Sequence, residues 1–203
     1  MNILTILAHP DPGSFNHAIA QAAVEQLKIN GHNILFHDLY QEKFVPNLPA
    51  SEIPKNAFVD PAIKKHCEEL VQADGIIIVH PNWWGQPPAI LKGWVDRVIR
   101  PGIAYEFKDG EGVPIGLLKA KTAIVFNTSN TCKERENNIF LDPLETIWNN
   151  CIFYLCGVKN FYRKMFRIIV ASSDLQRKLW LDKVKKTVNK YYPELNNSEL
   201  PFD

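Results

Sequence analysis

The sequence predicts an α/β protein, a three-layer sandwich with helices on both faces of a five-stranded parallel sheet. Three observations carry this. Apolar runs of strand length recur at residues 3–7, 34–36, 76–79 and 123–126, each too short for a helix. Segments with apolar residues at helical spacing separate them, as at Phe15, Ile19, Ala23 and Leu27. Polar loops follow the first, third and fourth runs, outside the carboxyl ends of strands, where open α/β sheets bind ligands.

Residues 3–7 break into His9-Pro-Asp-Pro-Gly-Ser before the first helix starts. The unpartnered N–H groups of a helix start attract anions, and Ser14, Asn16 and His9 offer side-chain donors beside them. The competing reading makes Ser14 a helix cap and His9 loop surface. Only Gly13 is present, so this is no dinucleotide GxGxxG signature, and the Gly-Lys-Ser/Thr ending of a Walker loop is missing.

Asn30-Gly31 stops the first helix, and a second strand ends near His37-Asp38. Residues 39–61 carry four prolines and read as an excursion over the sheet edge, a lid or a plain surface loop. A helix follows over 61–71, with Pro61 in its first turn. The run at 76–79 is the most apolar and so the most central strand. It delivers Pro81-Asn82-Trp83-Trp84, and a helix resumes over 89–98. The paired indoles either cap the core or a partner interface, or wall a flat ligand. Tyr105 and Phe107, in a glycine-rich connection, line the same opening or pin the connection to the body.

The fourth strand delivers Asn127-Thr128-Ser129-Asn130, side chains suited to the polar edge of a heterocycle and equally to an ordinary loop. Residues 132–138 are charged and read as solvated. Leu144, Ile147, Trp148, Ile152 and Leu155 mark a helix stopped by Gly157, and a last strand lies within 158–170. Ser172 or Ser173 caps a final basic helix to about Tyr191, with Leu175, Leu179, Trp180 and Val184 inward or against a partner. The expected organisation is one domain over 1–192 and a tail over 193–203 that packs on a neighbouring subunit.

A formal charge of +1 and the lack of a basic tract argue against a nucleic-acid partner. No run reaches membrane-span length, and Met1-Asn2 leads straight into the first strand, so the expected location is cytoplasmic. Cys67, Cys132, Cys151 and Cys156 match neither a redox CxxC nor a zinc ribbon and read as buried small hydrophobes. The six histidines contain no metal-binding motif, and no metal is expected.

Five alternating units with ligand-like loops favour a flavodoxin-like sheet of strand order 2-1-3-4-5. The sequence resembles the flavodoxin-like NAD(P)H:quinone oxidoreductase family, which includes the mammalian DT-diaphorase type and shorter bacterial quinone and flavin reductases. The matching stretches are LAHPDPGSFN (7–16), HDLY (37–40), PNWWGQPPAILKGWVDRV (81–98), AYEF (104–107) and CGV (156–158). The resemblance implies a bound flavin, FMN in preference to FAD in so short a chain, with His9, Ser14, Phe15 and Asn16 around its phosphate. It places Pro81, Asn82, Trp83 and Trp84 at the isoalloxazine, Asn127, Thr128, Ser129 and Asn130 at the ring edge, and Tyr105 and Phe107 in a substrate pocket closed by a second subunit.

The implied activity is ping-pong two-electron transfer from NAD(P)H to a quinone, in a homodimer. An azo-, nitro- or free-flavin reductase, or a flavin-containing regulatory subunit of a membrane transport system, are the alternatives. Asn127-Thr128-Ser129-Asn130 stands where the family often has Thr-Thr-Gly-Gly. Glu134 and Phe140 stand near the tyrosine and histidine positions of the mammalian type, so no tyrosine–histidine relay is implied and no catalytic residue is assigned.

Overall fold

The structure, a computed structural model, describes residues 1–55, 57–108 and 112–195. The first unit is β1 (Asn2–Leu7), α1 (Phe15–Ile29) and β2 (Asn33–Asp38), followed by α2 (Pro61–Gln72), β3 (Gly75–Pro81) and α3 (Ala89–Val98). Then come β4 (Tyr105–Phe107), β5 (Pro114–Gly116), β6 (Thr122–Ser129), α4 (Lys133–Asn138) and α5 (Pro143–Glu145), which widens into π-helical turns over Thr146–Phe153. β7 (Asn160–Arg167) and α6 (Asp174–Tyr191) finish the body. The main sheet is parallel with order β2-β1-β3-β6-β7, the order 2-1-3-4-5 expected from the sequence when its own strands are counted.

Residue alternation divides the core. Leu4, Ile6, Ile76, Ile78, Ala123 and Val125 point to the layer that contains Trp94 of α3 and Trp148 of the π-helical turns. Their neighbours Ile3, Leu7, Ile77, Val79, Ile124 and Phe126 point to α1 and α6. Successive side chains of a strand face opposite sides, so a strand covered on both faces must be apolar throughout, and β3 is buried at every residue. The starts of α1, α2 and α6 are capped by side chains: Ser14 Oγ accepts from the His17 N–H, Asp60 from Ala62 and Ser173 from Gln176.

Several expectations require correction. The connection carrying Tyr105 and Phe107 folds into a separate antiparallel ribbon, β4 with β5. Asn127, Thr128 and Ser129 are the last residues of β6, paired to β7, so only Asn130 begins the loop. Glu136, in the stretch expected to be solvated, is fully buried. Leu175 and Leu179 are exposed, whereas Val184 is inward and Trp180 packs on Phe15 and Phe166. Cys67 and Cys156 are buried, and burial pushes their thiols up to about 11 and about 12; Cys132 and Cys151 are exposed. No helix among the described residues is long and apolar enough to cross a membrane.

The excursion over 39–60 is pinned from beneath. Arg97 of α3 donates to both Glu52 carboxylate oxygens and to the Val45 carbonyl, and Arg100 donates to the Glu52 carbonyl. Bonds from Arg97 hold the Glu52 carboxyl below its ordinary range.

The opposite end of the sheet is closed by Tyr192. Its hydroxyl accepts from the Ile76 N–H at 3.1 Å and lies 2.9 Å from the Thr122 carbonyl, so one phenol ties β3 to β6. Gly75 leaves room for that ring, since a Cβ there would come within 2.4 Å of it. The Tyr192 carbonyl in turn accepts from Asn30, and the Leu195 N–H donates to the Asn30 carbonyl, carrying the described chain back onto the end of α1. The rest of the expected tail, 196–203, lies outside the described residues. Tyr192→Phe leaves the Ile76 N–H buried without a partner, an expected loss of about 1–3 kcal/mol in a urea denaturation. Gly75→Ala is expected to cost more, because the ring has no space into which to retreat.

Candidate functional site

The carboxyl ends of β1, β3 and β6 meet in one crevice stitched by polar groups. Asn16, in the first turn of α1, donates through Nδ2 to Thr128 Oγ1 at 2.9 Å, and the Asn82 N–H donates to the Thr128 carbonyl at 2.7 Å. Asn82 Nδ2 donates to Glu136 at 3.0 and 3.1 Å, and Ser129 Oγ donates to the same carboxyl at 2.9 Å. Glu136 thus joins the loop after β3 to the end of β6. Two oxygens here, Asn16 Oδ1 and Asn82 Oδ1, are buried with no partner.

Below this layer sits a second one. His80 Nδ1 lies 2.8 Å from the Pro81 carbonyl, while Nε2 is 2.9 Å from Trp148 Nε1 and 2.7 Å from Asn127 Nδ2. Indole and amide can only donate, so Nε2 carries the lone pair and Nδ1 the proton. Complete burial drives the His80 pKa down to about 3, with the nearby Arg163 charge acting in the same direction. Arg163 reaches Asn127 Oδ1 and pairs with Asp142 and Glu145. Asn127 is accordingly sealed into the framework rather than presented to the crevice.

The loop after β3 holds the most unusual backbone. Trp83 and Gln86 exchange both backbone hydrogen bonds, and the two residues between them, Trp84 and Gly85, have φ of 58° and 75°. This is a two-residue turn of the type normally built from Asn-Gly. A tryptophan in the left-handed region costs about 1–2 kcal/mol. The turn nevertheless presents Trp84 at 100% exposure, with Trp83 at 41% beside His9, whose ring is 6.2 Å away. A cavity of about 480 Å³ is lined by Trp84, Gly85, Asn82, Thr131, Arg135 and Phe140, with the Arg135 guanidinium 5.2 Å from the Phe140 ring. The strain is spent on holding an apolar ring in solvent.

The remaining expected site residues divide. Ser14 is the α1 cap and His9 lies at the loop, where Asp11 N–H donates to its Nδ1 at 3.1 Å; burial lowers the His9 pKa. Phe15 packs against Phe166 and Trp180 beneath the loop. Pro81 is buried, and Asn130 accepts from the Val170 N–H. Tyr105 and Phe107 pack edge-on on the β4–β5 ribbon, their ring centroids 5.6 Å apart. Glu134 is exposed on α4. Sequence reasoning missed Glu136, His80 and the pair His17–Asp38; only Asp38 had a legible signal, a carboxylate at the end of a strand.

A cavity of about 490 Å³ under the excursion holds a second polar group. His37 bonds Glu42 through Nδ1 at 2.8 Å and Glu69 through Nε2; burial opposes its charge, but the two carboxylates outweigh burial and raise its pKa. Burial likewise opposes the Glu42 charge, and bonds from His37 and His66 bring its pKa down to about 2. His66 Nδ1 accepts from Trp94 Nε1 at 3.2 Å, so its proton sits on Nε2 facing Glu42. The ligand atoms of His37, Glu42 and His66 are close enough for a metal ion, but the Nδ1 lone pair of His66 already accepts from Trp94. His37 and His66 are buried and Glu42 is exposed, so the cluster is an ion network that meets solvent at Glu42.

A family model described as flavodoxin-like fold matches residues 1–186. A Haemophilus influenzae protein named as an uncharacterized NAD(P)H oxidoreductase is 36% identical over 186 residues, covering 90% of this chain and 91% of that one. The rat ribosyldihydronicotinamide dehydrogenase (quinone) is 29% identical over 218 residues, covering 90% of each. Among solved structures, an NAD(P)H:quinone oxidoreductase from Methanothermobacter marburgensis superposes with a TM-score of 0.82 at 24% identity, covering 94% of this chain and 96% of that one.

Two outcomes test this framework. Glu136→Ala strands the Asn82 amide and the Ser129 hydroxyl, an expected loss of about 2–4 kcal/mol in chemical denaturation, while Glu136→Gln keeps an acceptor and loses less. The unfolded chain protonates His80 near pH 6.5 and the folded chain only near 3. Stability is therefore expected to fall as pH drops through that window, and to fall less steeply in His80→Gln.

Proposed function

The chain belongs to the family with the flavodoxin-like fold, and from that premise we propose that it is a flavin-dependent NAD(P)H oxidoreductase, with FMN as the flavin and a quinone as the acceptor. The observation that carries the reading is the strained, fully exposed Trp84 beside a crevice with two orphaned amide oxygens. The residues fit such a group. A flavin brings a flat ring for the indoles and ribityl hydroxyls and ring N–H groups for unpartnered oxygens. Its phosphate suits the first-turn N–H groups of Phe15 and Asn16, which helix geometry leaves without partners.

Bound there, the flavin would supply the redox chemistry, taking hydride from NAD(P)H and passing two electrons to the acceptor in a ping-pong cycle. The chain's own residues bind and orient. Ser14 and Asn16 hold the phosphate end, and Trp83 and Trp84 wall the ring. Glu136 keeps Asn82 and Ser129 from collapsing into the crevice by occupying their donors. No side chain is assigned as a proton donor: His80 stays neutral and sealed, and Phe140 has no proton to give. The β4–β5 ribbon and its flanks leave Phe107, Val113, Ile115 and Leu117 exposed, an apolar edge that supports a dimer as the working unit, with Tyr105 and Phe107 near its pocket.

The first test is an absorbance spectrum of the purified protein with mass identification of any released cofactor. FMN is expected; a protein that neither carries nor binds a flavin overturns the reading. Trp84→Asn, which suits the left-handed turn, is expected to fold at least as stably as the parent. Its FMN dissociation constant should rise about tenfold, the scale of one lost ring contact, and its quinone turnover should drop. An unchanged dissociation constant would remove Trp84 from the site.

A further inference from the structure

A chain of hydrogen bonds runs from the proposed phosphate loop into the end of β2. Ser14 Oγ lies 2.9 Å from His17 Nδ1, and His17 Nε2 lies 3.0 Å from Asp38 Oδ2. Asp38 Oδ1 is held by the N–H groups of Tyr40 and Gln41, which fixes the carboxylate as an acceptor. In neutral His17 the proton must therefore sit on Nε2, and Nδ1 accepts the Ser14 hydroxyl hydrogen. Ser14 Oγ meanwhile accepts the His17 backbone N–H as the helix cap. In this state the hydroxyl's only hydrogen is turned away from the loop, and an arriving anion meets an oxygen lone pair.

A second proton on His17 reverses the bond. Nδ1–H then donates to Ser14 Oγ, and the Ser14 hydrogen is released to donate to an anion at the start of α1. Asp38 is the only carboxylate within ion-pair distance of His17 among the described residues, and it compensates the imidazolium. From the loop side the facing groups are His9, whose ring stands edge-on at 6.3 Å, and Asp11 next to it. Burial disfavours the charged form of His9, and a charge on His17 opposes it further. The His17 side chain is 21% exposed, so solvent can supply the proton.

We propose that His17, backed by Asp38, couples binding of a phosphate monoester at the α1 start to uptake of one proton, with Ser14 as the switchable donor. His17 is thus a positioning residue that acts through Ser14, and the protein holds phosphorylated flavin more tightly as pH falls. The inference rests on the flavin reading above and adds regulation to its phosphate end.

Flavin fluorescence quenching tests it on the apoprotein with two ligands, FMN and riboflavin, across the range in which imidazoles titrate, about pH 6 to 8. FMN affinity of the parent is expected to weaken with rising pH by about tenfold more than that of His17→Gln, the scale of one linked proton. The variant retains the contributions of the phosphate's own ionisation and of His9, and riboflavin, which lacks a phosphate, should show no such difference. Parallel FMN profiles for parent and variant would overturn the coupling while leaving the flavin site standing. Binding of neither ligand at any pH would overturn the flavin site itself. Should His17→Gln fail to fold, NMR of the His17 ring in the parent decides. FMN must raise its titration midpoint and riboflavin must not; equal midpoints would overturn the coupling.

Discussion

A parallel sheet covered on both faces cannot leave a strand half-polar, and the rest of this molecule follows from that constraint. Every residue of β3 is buried, and β1 and β6 are nearly so, which forces the polar residues out to the strand ends. The carboxyl ends of three adjacent strands then deliver amides and hydroxyls into one place. Buried polar groups need partners there, and they find most of them in one another: Asn16 in Thr128, Asn82 in Thr128 and Glu136, Ser129 in Glu136. The crevice is what remains when that pairing is almost, but not fully, complete.

The two layers beneath the crevice divide the work. His80, Trp148, Asn127 and Arg163 form a linked network, and the neutral imidazole of His80 keeps a second positive charge from arising beside Arg163. The layer above is open at the Asn16 and Asn82 oxygens and at the Trp84 turn. Rigid support under a few unsatisfied groups holds a site in shape before its ligand arrives. The His17–Asp38 pair, 3.0 Å apart, links the start of α1 to the end of β2 beside that layer.

How much of this was legible differs by residue. The sheet strands and the helices α1, α2, α3 and α6 follow from run lengths and helical spacing, and Ser14, Asp60 and Ser173 cap helices as their side chains lead one to expect. Trp83 and Trp84 stood out because paired indoles in a loop have no local reason to be there. Glu136 was invisible, since KERENN has the composition of a solvated turn and its burial is made favourable by Ser129 and by Asn82, 54 residues away. The β4–β5 ribbon has three-residue strands too short for any periodicity. His17 and Asp38 are 21 residues apart, and nothing local says that a helix and a strand end will bring them together.

Tyr192 has a consequence for how the chain is made. Its phenol closes β3 against β6 from a point 116 residues beyond Ile76, after β7 and α6 have been laid down. A ribosome delivers the chain from the amino end, so β1, α1 and β2 can associate early, while the amino ends of β3 and β6 wait without their tie. The nascent sheet is therefore assembled for most of its synthesis without the group that secures its centre, and release of the final helix is what turns it into a closed body.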